Sequence, residues 1–85
     1  MAERTETVDQ AAFYLRDLGA LVKEKALDAQ RAKEVAEGGD EYDVQLGRLM
    51  ALQEVVSLMQ EQAASFEIPL EQLGLDDIDP YDDLR

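Results

Sequence analysis

Cysteine, histidine and tryptophan are all missing from the 85 residues of this chain. Without cysteine there can be no disulfide, no thiolate metal site and no thiol nucleophile. The lack of histidine removes a common metal ligand and the side chain best suited to proton transfer near neutral pH. Continuous apolar runs are only a few residues long, far short of the roughly 20 needed to cross a bilayer. The opening Met-Ala-Glu-Arg-Thr-Glu is charged and leads into no apolar h-region, so a secretory signal is not expected. A soluble, cytoplasmic protein is the expectation that fits.

Basic residues are also scarce. Eight Lys and Arg stand against 20 Asp and Glu, for a net charge of −12. The imbalance is uneven: residues 5–37 carry −2, whereas residues 40–85 carry −10, with only Arg48 and Arg85 positive there. Such a chain repels nucleic acid and anionic membrane surfaces at long range, so neither is an expected direct partner. A basic protein is the charged partner it suits. The 46% apolar content is that of a folded domain, at a size where a single core leaves little net stability.

What remains is helix-forming sequence in two long stretches. Apolar residues recur at three- and four-residue steps through Val8, Ala11, Leu15, Leu18, Val22, Ala26, Ala29, Ala32 and Ala36. Thr5 or Thr7 can cap this first helix, and Thr7 with Gln10 has capping-box spacing. Gly19 sits on the stripe, where an interior glycine costs roughly 1 kcal/mol relative to alanine. Close approach of another helix is a reason to keep it. Gly38-Gly39 ends the helix, and Asp40 is placed to cap the next. The second helix spans about 41–65, its seam formed by Tyr42, Leu46, Leu49, Leu52, Val56, Met59, Ala63 and Phe66. So short a connection makes the helices antiparallel neighbours.

The apolar arc of the second helix covers close to half its circumference, more than one neighbour can bury. The architecture expected is therefore all-α: an antiparallel two-helix hairpin plus a short C-terminal helix, dimerising into a four-helix bundle. Leu15, Leu18, Val22, Leu49, Leu52, Val56 and Met59 form its core or dimer seam. Residues 1–75 make the hairpin domain. Ile68 to Leu75 reads as the short helix, with Pro69 at its start and Gly74 at its stop. Residues 76–85 form an acidic tail, which either adds one helical turn from Asp79-Pro80 or stays disordered.

No constellation of catalytic groups emerges. Asp76-Asp77-x-Asp79 and Asp82-Asp83 suit hard cations by composition. An EF-hand loop, however, needs glycine at its sixth position, and counting from Asp76 that position is Tyr81. Glu54 and Glu61 share a side of the second helix, but it is the polar side, and di-metal bundles also use histidine. No carboxylate interrupts either core stripe, so none is placed to have its acidity shifted by burial. Neither an enzyme nor a cofactor or metal site is expected.

The sequence therefore points to a small acidic, non-enzymatic protein–protein interaction module (adaptor, chaperone or inhibitor) acting as a homodimer. Asp76, Asp77, Asp79, Asp82 and Asp83 would attract a basic partner, with Ile78, Tyr81 and Leu84 as anchors. Met50, Met59 and the wide apolar arc suit either a partner groove or, more economically, the dimer core. One alternative is a DNA-mimic inhibitor of a nucleic-acid-binding protein, although acidic residues are sparse between Asp43 and Glu67. The other is a purely structural helical dimer.

Overall fold

A computed structural model describes residues 2–85, with side chains from Gln10 onward. Helix α1 (Ala2–Val35) and helix α2 (Tyr42–Ser65) form the hairpin, followed by a 3-10 turn (Leu70–Leu73). No strand occurs among the described residues. At about 1.5 Å per residue, α1 outreaches α2 by roughly 15 Å. The molecule is accordingly a rod, 58 Å along its longest axis with a radius of gyration of 15.5 Å. A compact chain of this length would have a radius near 12 Å.

α1 begins upstream of both threonines, so neither Thr5 nor Thr7 opens it. Their capping bonds, and the place of Val8 in the stripe, lie outside the described side chains. Small residues on α1 let the second helix come close. Ala26 and Ala29 are completely buried in a cluster with Leu49, Val56 and Ala63. Val22, Leu52 and Met59 pack half-buried against that cluster.

The connection is made as the glycines require, with Gly38 at φ 82°. The Gly39 N–H donates to the Ala36 carbonyl at 2.9 Å, and the Tyr42 N–H donates to the Gly39 carbonyl at 3.3 Å. Asp40 does not become the cap of α2. Glu41 holds that position in a right-handed conformation, and no side chain caps the helix. The Gly39 carbonyl takes up the Tyr42 amide, one of those that the Asp40 carboxylate would have served.

The end of α2 is a Schellman motif. The Ile68 N–H reaches the Ala63 carbonyl at 2.8 Å, and the Glu67 N–H reaches the Ala64 carbonyl at 3.1 Å. This closure needs a left-handed residue, and the sequence supplies Glu67 at φ 56° where glycine would be unstrained. The expected helix over residues 68–75 shortens to the single 3-10 turn, because Pro69 is extended (φ −60°, ψ 139°) and stands outside it. Gly74, at φ 69°, repeats the closure: its N–H donates to Glu71, and the Leu75 N–H donates to Leu70.

The 3-10 turn passes directly over Gly19. An ideal Cβ built on that glycine would overlap the Leu73 carbonyl oxygen and stand 2.9 Å from its carbon. The close approach expected of Gly19 is thus real, and it is made by the backbone of the returning chain rather than by a long helix. Gly47, on the exposed side of α2, meets nothing within 4 Å. Gly19→Ala should therefore lose about 1–3 kcal/mol by overpacking, while Gly47→Ala should gain up to about 1 kcal/mol from helix propensity. Urea unfolding of the two variants measures both. Equal effects at the two sites would refute the close contact.

Glu67→Gly, by the same measurement, should stabilise the chain by about 0.5–1 kcal/mol by removing the left-handed penalty. A loss of stability would mean that the Glu67 side chain contributes something its backbone strain conceals.

Candidate functional site

Residues 76–85 do not trail away from the hairpin. They run back along the groove between α1 and α2, and three of them are buried there together with Leu75, which precedes them. Leu75, Ile78, Pro80 and Leu84 all face the helices, with Leu84 only 1% exposed. Of the two expectations for Asp79-Pro80, the extra turn is the one adopted. The Asp83 N–H donates to the Asp79 carbonyl at 2.8 Å. The Asp79 carboxylate accepts from the Tyr81 and Asp82 amides at 2.9 and 3.2 Å, while the Asp83 carboxylate accepts from the Asp79 N–H at 2.8 Å.

Three glutamines hold this segment by its backbone. Gln60 donates to the carbonyls of Leu75 and Ile78 at 3.1 and 2.9 Å. Gln53 donates to Pro80 at 2.8 Å. Gln30, from α1, donates to Asp83 at 2.6 Å and to Arg85 at 3.3 Å. The Ser57 and Tyr81 hydroxyls meet at 3.3 Å. Lys23 donates to both carboxylate oxygens of Asp77, at 2.8 and 3.0 Å. Neither Lys23 nor the three glutamines stand out in the sequence. The available signal was positional: Gln53 and Gln60 are seven residues apart, on one shoulder of the α2 core stripe.

The residues expected to bind a partner are therefore of two kinds. Asp76, Asp82 and the Tyr81 ring face solvent, as does the outer side of Asp77. Ile78 and Leu84, read as anchors for a partner, are instead buried against this chain's own helices. They are apolar and helix-facing because the groove is the nearest apolar surface they can reach. Asp79 and Asp83 spend their carboxylates on the local turn.

The opposite side of the hairpin is bare. At 100° per residue, Tyr14, Leu18 and Leu21 lie on the flank of α1 away from Lys23 and Gln30. Val55 and Phe66 lie on the corresponding flank of α2, with Leu58 beside them. Leu21 is 47% exposed, Leu58 55% and Phe66 72%. Leu15 and Leu18, expected in the core or dimer seam, are also exposed in the single chain, and α1 from Gln10 to Leu18 has no buried residue. At the end of this face lies an apolar cleft of about 300 Å³ between Leu15, Leu58, Met59, Phe66 and Leu73. By the same helical geometry Lys25 and Arg48 lie on the bare side with Asp17 and Asp28 at its α1 edge, whereas the aspartate-rich segment occupies the other. The two faces are chemically unlike.

Among the described residues no helix is long and apolar enough to cross a membrane, and no three acidic side chains gather as a metal cluster. No protein family, curated protein or solved structure matches the chain.

The Lys23 hydrogen bond holds the Asp77 carboxyl below its ordinary value of 3.8; desolvation opposes it, and the Lys23 charge adds to the lowering. A carboxyl lowered on folding adds stability that is present above its unfolded pKa and lost as pH falls through the folded one. Docking of the tail should therefore loosen on acidification below about pH 4. In an NMR titration, the Asp77 carboxyl should return to the ordinary value in Lys23→Met. An unchanged titration would show that the pair does not form in solution.

Proposed function

We propose that this protein is a non-enzymatic protein–protein interaction module that works as a homodimer, joined through the bare face of the hairpin. The dimer directs its acidic face outward to a basic protein partner, as an adaptor, chaperone or inhibitor would. The observation that carries this reading is the uncovered apolar strip formed by Leu18, Leu21, Val55, Leu58 and Phe66, opposite the docked tail.

Area supports a second copy as the occupant. The chain exposes 6234 Å². A compact monomer of its 9.5 kDa mass would expose about 5,000 Å². The excess, about 1,200 Å², is spread over the whole rod, and a standard interface of roughly 800 Å² per partner would remove much of it. Charge supports it too. A net charge of −12 opposes self-association, but the tail carboxylates stand on the far side of each hairpin. The faces brought together carry charges of both signs, Lys25 and Arg48 with Asp17 and Asp28 beside them, and face-to-face stacking of two hairpins would make a four-helix assembly.

Sedimentation tests the reading. The wild type should run at twice the chain mass, and the doubly substituted Leu21→Glu/Leu58→Glu should run as a helical monomer. Both positions are exposed, so the substitutions leave the hairpin core untouched. A wild type that remains monomeric at high micromolar concentration would reject the homodimer. For the acidic face, Asp76→Lys/Asp82→Lys should dimerise normally yet lose salt-sensitive binding to a basic protein partner. Retained binding would reject that half of the proposal.

A further inference from the structure

The groove beneath the C-terminal segment has features of a receptor for extended peptide, and they do not depend on the dimer. Five hydrogen bonds from Gln30, Gln53 and Gln60 land on main-chain carbonyls of the segment. Carbonyls are common to every peptide, so these donors fix a path without selecting side chains. Selection comes instead from four apolar studs and one ion pair. The studs are Leu75, Ile78, Pro80 and Leu84, and the pair is Lys23 with Asp77.

Nothing in this attachment is irreversible. The backbone bonds described within the segment are local, closing Leu75 onto Leu70 and Asp83 onto Asp79. The groove-side polar groups are neutral amides, which water satisfies once the segment leaves, so departure strands no buried charge. Lys23 and Asp77 are 27% and 64% exposed, and both can be rehydrated. The segment begins at Gly74, whose left-handed backbone is a natural pivot.

We propose that the groove between α1 and α2 binds an extended acidic segment of another protein, and that residues 75–85 are its resident occupant. The incoming segment carries the same spacing: an apolar residue, an acidic one two places on, an apolar one three on, proline five on and an apolar one nine on. It replaces the tail stud for stud, and Gln30, Gln53 and Gln60 transfer their bonds to its carbonyls. The released tail, with its five aspartates, is set free at the same moment.

A synthetic peptide of residues 75–85, fluorescently labelled, is the probe. In the full-length double variant Ile78→Asp/Leu84→Asp, two charges without partners expel the tail, leaving the groove open. This variant should bind the peptide at least tenfold more tightly than the wild type does. Adding Gln60→Ala, which removes two of the five bonds, should weaken binding by about tenfold. A helical double variant that fails to bind the peptide overturns the proposal. Should that variant unfold, hydrogen exchange on the wild type decides. An Asp83 amide exchanging at least tenfold faster than the amides of Leu49 and Val56 supports a detachable tail; equal rates overturn it by making the tail part of the global folding unit. Mixed labelled and unlabelled wild-type chains test the remaining occupant. Contacts from Ile78 to the neighbouring copy's helices would overturn the proposal in favour of a tail swap.

Discussion

The missing side chain at Gly19 is the constraint on which the arrangement turns. The chain leaves α2 at one end of a rod and must return across α1 to reach the groove. At the crossing, the Leu73 backbone lies where a Cβ would stand. Two left-handed residues, Glu67 and Gly74, steer it there and away again. Once past Gly74, the chain is aimed along the groove, and Leu75 is fully buried at its first step. The remaining contacts of the tail are downstream of that crossing.

Two helices alone make a weak core at this size. Here the helix pair contributes alanines and a few larger residues, and the returning segment adds Leu73, Leu75, Ile78 and Leu84 to the same cluster. The core is thus three-sided. Its third side consists of turns and extended chain, whose backbone carbonyls need partners. Glutamines provide them with a reach that shorter amides lack and without the desolvation cost of a charged donor. This explains why polar residues border the apolar stripes on one flank while the other flank is greasy to its edge.

The hairpin was legible in the sequence because helix periodicity and glycine punctuation are local signals. So was the special status of Gly19, whose cost in a helix interior implies a compensating contact. The tail was not legible, since its composition is that of a solvated acidic strand. Ile78, Pro80 and Leu84 are too widely spaced to show a period, and their destination is set by a groove that exists only after folding. α2 carries more apolar surface than α1 buries, and the tail covers part of it. Leu15 and Leu18 lie alongside α2 but are not sealed by it: Leu15 borders the cleft with Met59 and Phe66, and Leu18 falls on the flank that the tail leaves uncovered. The cap at Asp40 failed for a different reason: the helix starts one residue later, at a Glu41 cap, and the turn's Gly39 carbonyl receives the Tyr42 amide.

Holding a strand by its carbonyls separates two properties that proteins usually couple. The outward aspartates, Asp76 and Asp82 among them, take no part in the grip exerted by the glutamines. Surface potential on that side can therefore be raised, erased or inverted one residue at a time while the strand stays seated. In a lineage of such molecules, electrostatic preference would drift freely over an unchanging fit, and the spacing of four greasy side chains would be the fixed element.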